Sequence, residues 1–241
     1  MRIDTPAVFI SLSTAAAIQV GEDPFDTGDL EEMRKEDIAP YTNQRFSLNH
    51  NVPNLEVARH ASNEQHGGWQ INNNLANTRY PFITLKRSAA RQEEKSVGDK
   101  LHISVNQKDV PKAFEVMGKV INSQESPINS WKVTDIERID PRDTRLSQGA
   151  QFTLYPKPDL PDGSYSPKHI GKINALVRAL EQSLAAQGIE KSEHKPASDV
   201  SAPQWEYASY RNEFRSDRQG SSSQSTALKE EPFFKLVSYA Q

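Results

Sequence analysis

The sequence predicts an α+β fold, in which a twisted, largely antiparallel sheet is flanked by helices within a single domain. Residues 98–105 and 149–157 show the two-residue alternation of half-buried strands. Residues 168–187 carry an apolar stripe at helical spacing and are followed by Gly188, a typical helix stop. Short alternating strands and a long amphipathic helix in one chain together favour this fold class.

Composition limits the classes of function. Hydrophobic residues make up 35% of the 241-residue chain, which is enough for a core. A net charge of −3 argues against a general nucleic-acid or membrane binder, and no apolar run reaches the length of a membrane span. The chain has no cysteine, which removes disulfides, thiolate metal sites and cysteine nucleophiles.

The N-terminal part differs in character from the rest. Residues 1–60 carry ten acidic and five basic side chains, so the remainder has a net charge of +2. The segment Ala7–Val20 superficially resembles a signal peptide, but Asp4 and several hydroxyl residues argue against cleavage. The acidic stretch that follows lacks strong periodicity. We therefore expect a flexible secretion leader over residues 1–40 and a folded domain over residues 41–241.

The folded domain begins with weakly defined elements. Gly67 and Gly68 mark a turn, residues 81–85 form a short strand, and residues 88–97 form a charged loop. In the next segment, residues 98–105, apolar side chains alternate with polar ones. That alternation places Lys100 and His102 on one face of a strand.

A helix is predicted after this strand. Asp109 is a suitable N-cap, Pro111 fits the first turn, and apolar residues then follow at helical spacing. The next segment, residues 131–135, is ambiguous because Lys132 alternates with apolar neighbours but Ile136 breaks the pattern.

The segment 149–157 predicts another strand, with Tyr155 and Lys157 on one face. After the helix at 168–187, residues 190–203 form a polar linker. If residues 205–218 are helical, Arg211, Arg215 and Arg218 share one face. Residues 220–225 then form a flexible loop before a final apolar-rich segment.

These segments bring a set of cations and proton-transfer groups into one chain. Arginine binds phosphate oxygens in a bidentate manner, and lysine supplies a compact charge. A lysine among other cations has a lowered pKa and can act as a base, while histidine can donate a proton near neutral pH. Each pair taken alone also fits the solvent face of a sheet; together they favour a phosphate-handling site without a metal. The candidates are Lys100, His102, Lys132, Arg145, Tyr155, Lys157, Arg211 and Arg218.

Five segments of the chain resemble the phosphothreonine lyase family of bacterial type III effectors (OspF/SpvC-like). They keep their order and near-constant spacing over roughly residues 80–237. The segments are Gly-Asp-Lys-Leu-His-Ile-Ser-Val at 98–105, Trp-Lys-Val-Thr-Asp at 131–135, Gly-Ala-Gln-Phe-Thr-Leu-Tyr at 149–155, Ser-Tyr-Arg-Asn-Glu-Phe-Arg-Ser at 209–216 and Glu-Glu-Pro-Phe at 230–233.

The resemblance implies β-elimination of phosphate from phosphothreonine in the Thr-x-Tyr activation loop of host mitogen-activated protein (MAP) kinases. It implies that Lys132 is the general base and His102 the general acid, and that no cofactor or metal is needed. The residues implied to hold the phosphothreonine phosphate are Lys100, Arg145 and Arg211, with Tyr155 positioning it. Lys157 and Arg218 are implied to meet the neighbouring phosphotyrosine, with support from the basic pair Lys86 and Arg87.

The resemblance also implies partners and a location. We expect a monomer that is delivered by type III secretion into the host cell, with a secretion chaperone as a further partner. The leader departs from family members that carry several basic residues before a hydrophobic pair, because only Arg2 precedes Val8-Phe9-Ile10. Kinase docking through the leader is therefore not predicted. Two other classes stay open, namely a metal-independent phosphatase and a non-catalytic phosphopeptide-binding module.

Overall fold

A computed structural model describes residues 34–77, 79–89, 96–140 and 142–239. Residues 1–33, which make up most of the predicted leader, lie outside the described residues. Two helical turns, Arg34–Ile38 and Ala39–Tyr41, open the described chain and pack against the longest helix. Ile38 is fully buried in the core, so the chain is already packed against the domain a few residues before position 41.

The fold is built on one open sheet of seven strands. The strand order is β1-β2-β3-β5-β6-β4-β7, and every neighbouring pair is antiparallel. The strands are β1 (Glu64–His66), β2 (Trp69–Asn73), β3 (Phe82–Arg87), β4 (Asp99–Ile103), β5 (Ser130–Thr134), β6 (Phe152–Leu154) and β7 (Ala208–Asn212). The predicted α+β fold with a largely antiparallel sheet is confirmed.

Five α-helices accompany the sheet in the part of the chain that the structure describes. They are α1 (Leu55–His60), α2 (Val110–Ile121), α3 (Pro167–Ala186), α4 (Ser222–Glu230) and α5 (Pro232–Val237). In α3 the hydroxyl of Ser166 accepts a hydrogen bond from the His169 backbone N–H and caps the first turn. Asp109 occupies the predicted N-cap position of α2, but its carboxylate instead accepts from the Glu190 N–H.

The helices cover one face of the sheet. In α2 the ring of Phe114 lies 5.4 Å from that of Trp131 in β5, and Phe233 of α5 stacks on Tyr210 of β7 at 5.5 Å. Because side chains alternate across a strand, burial of Trp131 and Tyr210 on this face turns their sequence neighbours to the other face. Lys132 and Arg211 are such neighbours, so the sheet presents them away from the helices.

Several predicted elements are confirmed. The turn at Gly67 and Gly68 joins β1 to β2, and both glycines have positive φ angles. The predicted strand at 81–85 overlaps β3, and the ambiguous segment 131–135 overlaps β5. No helix in the described part of the chain is both long enough and apolar enough to cross a membrane.

Two predictions near the C-terminus are wrong. The shared arginine face depended on residues 205–218 being helical, but β7 runs through them and pairs with β4 from Asp99↔Asn212 to Ile103↔Ala208. All five residues of β7 are buried, so tertiary pairing outweighs the local spacing of arginines. The predicted loop at 220–225 instead contains the start of α4, where Ser221 accepts from the Gln224 N–H as an N-cap.

Gly98 provides a testable feature of this β4–β7 junction. Its φ is +93°, and a Cβ atom there would lie 2.5 Å from Asn212 Oδ1 and 2.8 Å from the Phe214 ring. Gly98→Ala should therefore lower the free energy of unfolding by about 1–3 kcal/mol, through backbone strain and displacement of these side chains. Urea unfolding measures this. Gly68→Ala is the matched control, because Gly68 also has a positive φ but open space around it; an equal loss in both variants would contradict the predicted clash.

Candidate active site

A cavity of about 550 Å³ opens on the sheet face opposite the helices. Six of the eight predicted site residues line it: Lys100, His102, Lys132, Arg145, Arg211 and Arg218. The same cavity extends towards a second region formed by Arg79, Tyr80, Phe82, Arg138, Asp140 and Asp143. One end is therefore strongly cationic, and the other mixes aromatic, basic and acidic groups.

Sheet register brings the two proton-transfer candidates together. Lys132 of β5 and His102 of β4 both pair with Thr153 of β6, from opposite sides. Because neighbouring strands lie about 4.8 Å apart, the two backbones are separated by about 10 Å, with both side chains directed into the cavity between them. Lys100 lies two residues from His102 on the same face of β4, and it is the pairing partner of Arg211 in the neighbouring strand β7.

Lys132 lies in an aromatic and cationic environment. Its Nζ is 3.6 Å from the centroid of the Phe82 ring and 5.9 Å from that of Tyr155. Burial first, and then the charges of Lys100, Arg218 and Arg145, together lower the pKa of Lys132 to about 8, against the opposing effect of the Glu213 carboxylate. A substantial fraction of this amine is therefore neutral near physiological pH, which a general base requires.

His102 is held by a buried carboxylate. Its Nδ1 lies 2.6 Å from Asp199 Oδ2, and the two side chains are 4% and 0% exposed. The hydroxyls of Ser198 and Ser209 also donate to this carboxylate. Burial alone would raise the pKa of Asp199, but the charge and hydrogen bond of His102, with Ser198 and Arg145, outweigh it and lower the pKa. Asp199 thus stays ionised and fixes the orientation of the imidazole.

The cations around this pair are anchored by neutral groups. Arg145, in the helical turn Arg145–Gly149, donates from a terminal nitrogen to Ser198 Oγ at 2.9 Å. Arg211 donates from Nε to Ser216 Oγ at 2.9 Å and from a terminal nitrogen to the Ser216 carbonyl at 3.0 Å. Because these direct partners are hydroxyl and carbonyl groups and not carboxylates, both guanidinium groups can still attract an anion.

Two predicted residues lie at or outside the edge of this cluster. The Tyr155 ring lies 5.4 Å from Lys100 Nζ, and burial raises the pKa of its hydroxyl, so it stays protonated. Lys157 does not line the cavity. Its predicted shared face with Tyr155 assumed a strand up to residue 157, but β6 ends at Leu154 and the alternation ends with it.

The other predicted basic groups point elsewhere. Arg215, expected beside Arg211, forms an ion pair with Glu231. Arg87 donates to Asn129 and to the Ser123 carbonyl and lies over the Trp69 ring, and Lys86 is exposed. None of these three side chains lines the cavity.

Sequence reasoning missed Asp199, because it lies in a stretch that looks like a polar linker. Paired hydrogen bonds between the backbones of Val200 and Tyr210 fasten this stretch along β7 and bring Asp199 to His102. Across the described ranges 34–77, 79–89, 96–140 and 142–239, no group of three or more His, Asp or Glu side chains could hold a metal ion.

The fold and this cavity define a class of protein: an α+β protein with a strongly cationic cavity that also holds a buried imidazole and a lysine of lowered pKa. The family model OspF/SpvC matches residues 10–239, and the chain belongs to the OspF/SpvC family.

Similar proteins span most of the chain. Phosphothreonine lyase OspF from Shigella dysenteriae is 39% identical over 200 residues, covering 83% of this chain and 82% of the relative. MAPK phosphothreonine lyase from Salmonella typhimurium is 38% identical, covering 80% and 81%. The solved structure of the type III effector OspF from Shigella flexneri has a TM-score of 0.74 at 33% identity, covering 87% of this chain and 97% of that one.

Proposed function

We propose that this chain is a phosphothreonine lyase that inactivates host MAP kinases by β-elimination. The observation that carries the proposal is that Lys132 and His102 flank one cationic cavity, each paired with Thr153. Such a site offers a base, an acid and anion-binding groups within reach of one phosphorylated residue. The relatives named phosphothreonine lyase and MAPK phosphothreonine lyase support the same activity.

The reaction breaks two bonds of the phosphothreonine residue. Neutral Lys132 takes the proton from Cα, and the electron pair of that C–H bond forms the Cα=Cβ double bond. The Cβ–O bond breaks at the same time, and its electrons leave with the phosphate. With Nδ1 of His102 engaged by Asp199, Nε2 is the ring nitrogen left to protonate the departing oxygen. The products are dehydrobutyrine in the peptide and inorganic phosphate.

Cations supply the electrostatic part of catalysis. Lys100, Arg145 and Arg211 surround the position proposed for the phosphate, where negative charge grows as the Cβ–O bond breaks. Arg145 and Arg211 are already anchored by Ser198 and Ser216, so little reorganisation is needed during the reaction. Tyr155 is proposed to position the phosphate as a neutral hydroxyl, consistent with its raised pKa.

The wider substrate and delivery follow from the same proposal. Arg218 lines the cavity and is exposed, so we assign it to the phosphotyrosine of the doubly phosphorylated activation loop, with Lys157 as a more distant contact.

We propose that residues 1–40 direct delivery into the host cell by type III secretion, with the help of a secretion chaperone. Residues 41–241 then act as a monomer without a cofactor. Host kinases would be recognised at the catalytic face.

The reaction product tests the function. A doubly phosphorylated Thr-x-Tyr peptide is incubated with the protein and followed by mass spectrometry. A lyase should release phosphate and leave a peptide one water lighter than the simple dephosphorylated form. A dephosphorylated peptide that retains an intact threonine would instead establish a phosphatase. An unchanged phosphopeptide would establish a binding module. Either result overturns the proposal.

A further inference from the structure

Glu213 lies beside the cavity and is not explained by the proposed chemistry. It follows β7 directly, and its carboxylate forms an ion pair with the Nζ of Lys100. The Lys100 side chain is 18% exposed and that of Glu213 36% exposed, so the pair is partly shielded from solvent. Within the described part of the chain, Lys100 is the one lysine or arginine lining the cavity that forms an ion pair with a carboxylate.

The negative charge of Glu213 acts on several groups at the cationic end of the cavity. It partly offsets the lowering of the pKa values of Lys132 and Arg211, and it contributes to the raised pKa of Tyr155. Lys100 and Arg211 are directly opposed across β4 and β7, so the carboxylate sits where an anion bound by both cations would approach. A carboxylate at this position competes weakly with phosphate for these two cations.

Only a side-chain rotation is needed to remove it. The backbone of Glu213 is fixed, because its N–H donates to the Gly98 carbonyl at 2.8 Å and the next N–H, of Phe214, donates to Asn212 Oδ1 at 3.0 Å. Among the described residues, the Glu213 carboxylate forms its ion pair with Lys100 alone, and the side chain is more than a third exposed. A single, partly exposed ion pair of this kind contributes little stability, so a phosphate dianion can displace the carboxylate from Lys100.

We propose that the Glu213 carboxylate is paired with the Lys100 ammonium group in the free protein and is displaced from it by the incoming phosphate. After the reaction the carboxylate pairs with Lys100 again and displaces the phosphate product. The carboxylate thereby weakens anion binding and prevents the cationic site from being blocked by free phosphate. This deepens the proposed function, because it assigns a positioning and release role to a residue of the same site. No bond is made or broken in the exchange.

The variant Glu213→Gln tests this, because it keeps the shape of the side chain and removes its charge. Inorganic phosphate measured by calorimetry at low ionic strength should bind about tenfold more tightly, since one opposing charge next to the anion is gone. Product inhibition by phosphate should strengthen by the same factor, and KM for the phosphopeptide should fall. The control is Glu190→Gln, which breaks the exposed ion pair with Lys108 and should leave all three values unchanged.

A second readout separates this role from a structural one. The pH dependence of trace acetylation of Lys132, followed by mass spectrometry, should shift to lower pH in Glu213→Gln because a neighbouring negative charge no longer favours the ammonium form. Phosphate affinity and Lys132 reactivity that both match wild type would overturn the proposal. If Glu213→Gln does not fold, Glu213→Asp keeps the charge on a shorter stem, and tighter phosphate binding is then expected from the weakened contact with Lys100; unchanged binding would again overturn it.

These measurements stand apart from the test of the function. Phosphate binding and lysine acetylation need no turnover, so they report on Glu213 even if the peptide product shows that the protein is not a lyase. Tighter phosphate binding without any dehydrobutyrine product would refute the proposed function and retain the role of Glu213. The reverse result would retain the lyase and refute the role of Glu213.

Discussion

Lys132→Ala is expected to reduce kcat by about 10³–10⁴-fold, because it removes the amine that we propose takes the Cα proton, and acid–base groups contribute up to about this much. Binding of the phosphopeptide should be largely retained, since Lys100, Arg145 and Arg211 remain around the phosphate. Steady-state kinetics give kcat, and calorimetry with the phosphopeptide gives the affinity. The expected signature is a loss in kcat with a small change in Kd.

Lys132→Arg separates a base from a mere positive charge. Arginine stays protonated at accessible pH, so it preserves the charge beside Phe82 and Tyr155 but cannot accept the proton. We expect this variant to be about as inactive as Lys132→Ala. Lys108→Ala, at an exposed lysine away from the cavity, is the control and should match wild type. Substantial activity in either Lys132 variant would refute the assignment of the base.

The sequence was informative wherever local periodicity and burial act in the same direction. The alternation around Lys100 and His102 predicted their shared face, because Leu101 and Ile103 must point into the core. The long helix was predictable for the same reason, since its apolar stripe needs a core to pack against. The identities of the cations came from residue types alone, and sheet register then brought six of the eight predicted residues to one cavity.

Long-range contacts account for what was missed. β7 depends on pairing with β4, which lies more than a hundred residues earlier, and no local pattern in residues 205–218 announces that partner. Asp199 lies in a stretch without periodicity and reaches His102 only because Val200 pairs with Tyr210. An isolated Asp in a polar segment carries no signal for such a contact. Glu213 lies in segment 209–216, which resembles the family, but the sequence does not single it out as a site residue.

Asp199→Asn is the second change with a large expected effect. The carboxylate accepts from His102 Nδ1 at 2.6 Å inside a nearly dry site, so it selects the ring orientation and stabilises the protonated imidazole. An amide has no charge and can present its NH₂ group to Nδ1, which favours the other tautomer. We expect kcat to fall by about 10²–10³-fold with little change in KM, because the general acid is misplaced while the phosphate-binding cations are intact.

The electronic effect on His102 distinguishes this role from a loss of folding. In Asp199→Asn the ¹⁵N chemical shifts of His102 Nδ1 and Nε2 should differ from those of wild type, since Nδ1 loses its carboxylate partner and the other tautomer is favoured. Asp162→Asn, at an exposed loop residue, is the control and should change neither kcat nor those chemical shifts. A folded Asp199→Asn protein with wild-type kcat, or with unchanged ¹⁵N chemical shifts of His102, would show that the imidazole acts without its buried partner. In that case the leaving oxygen would have to be protonated either by an imidazole that no carboxylate orients or by a different group.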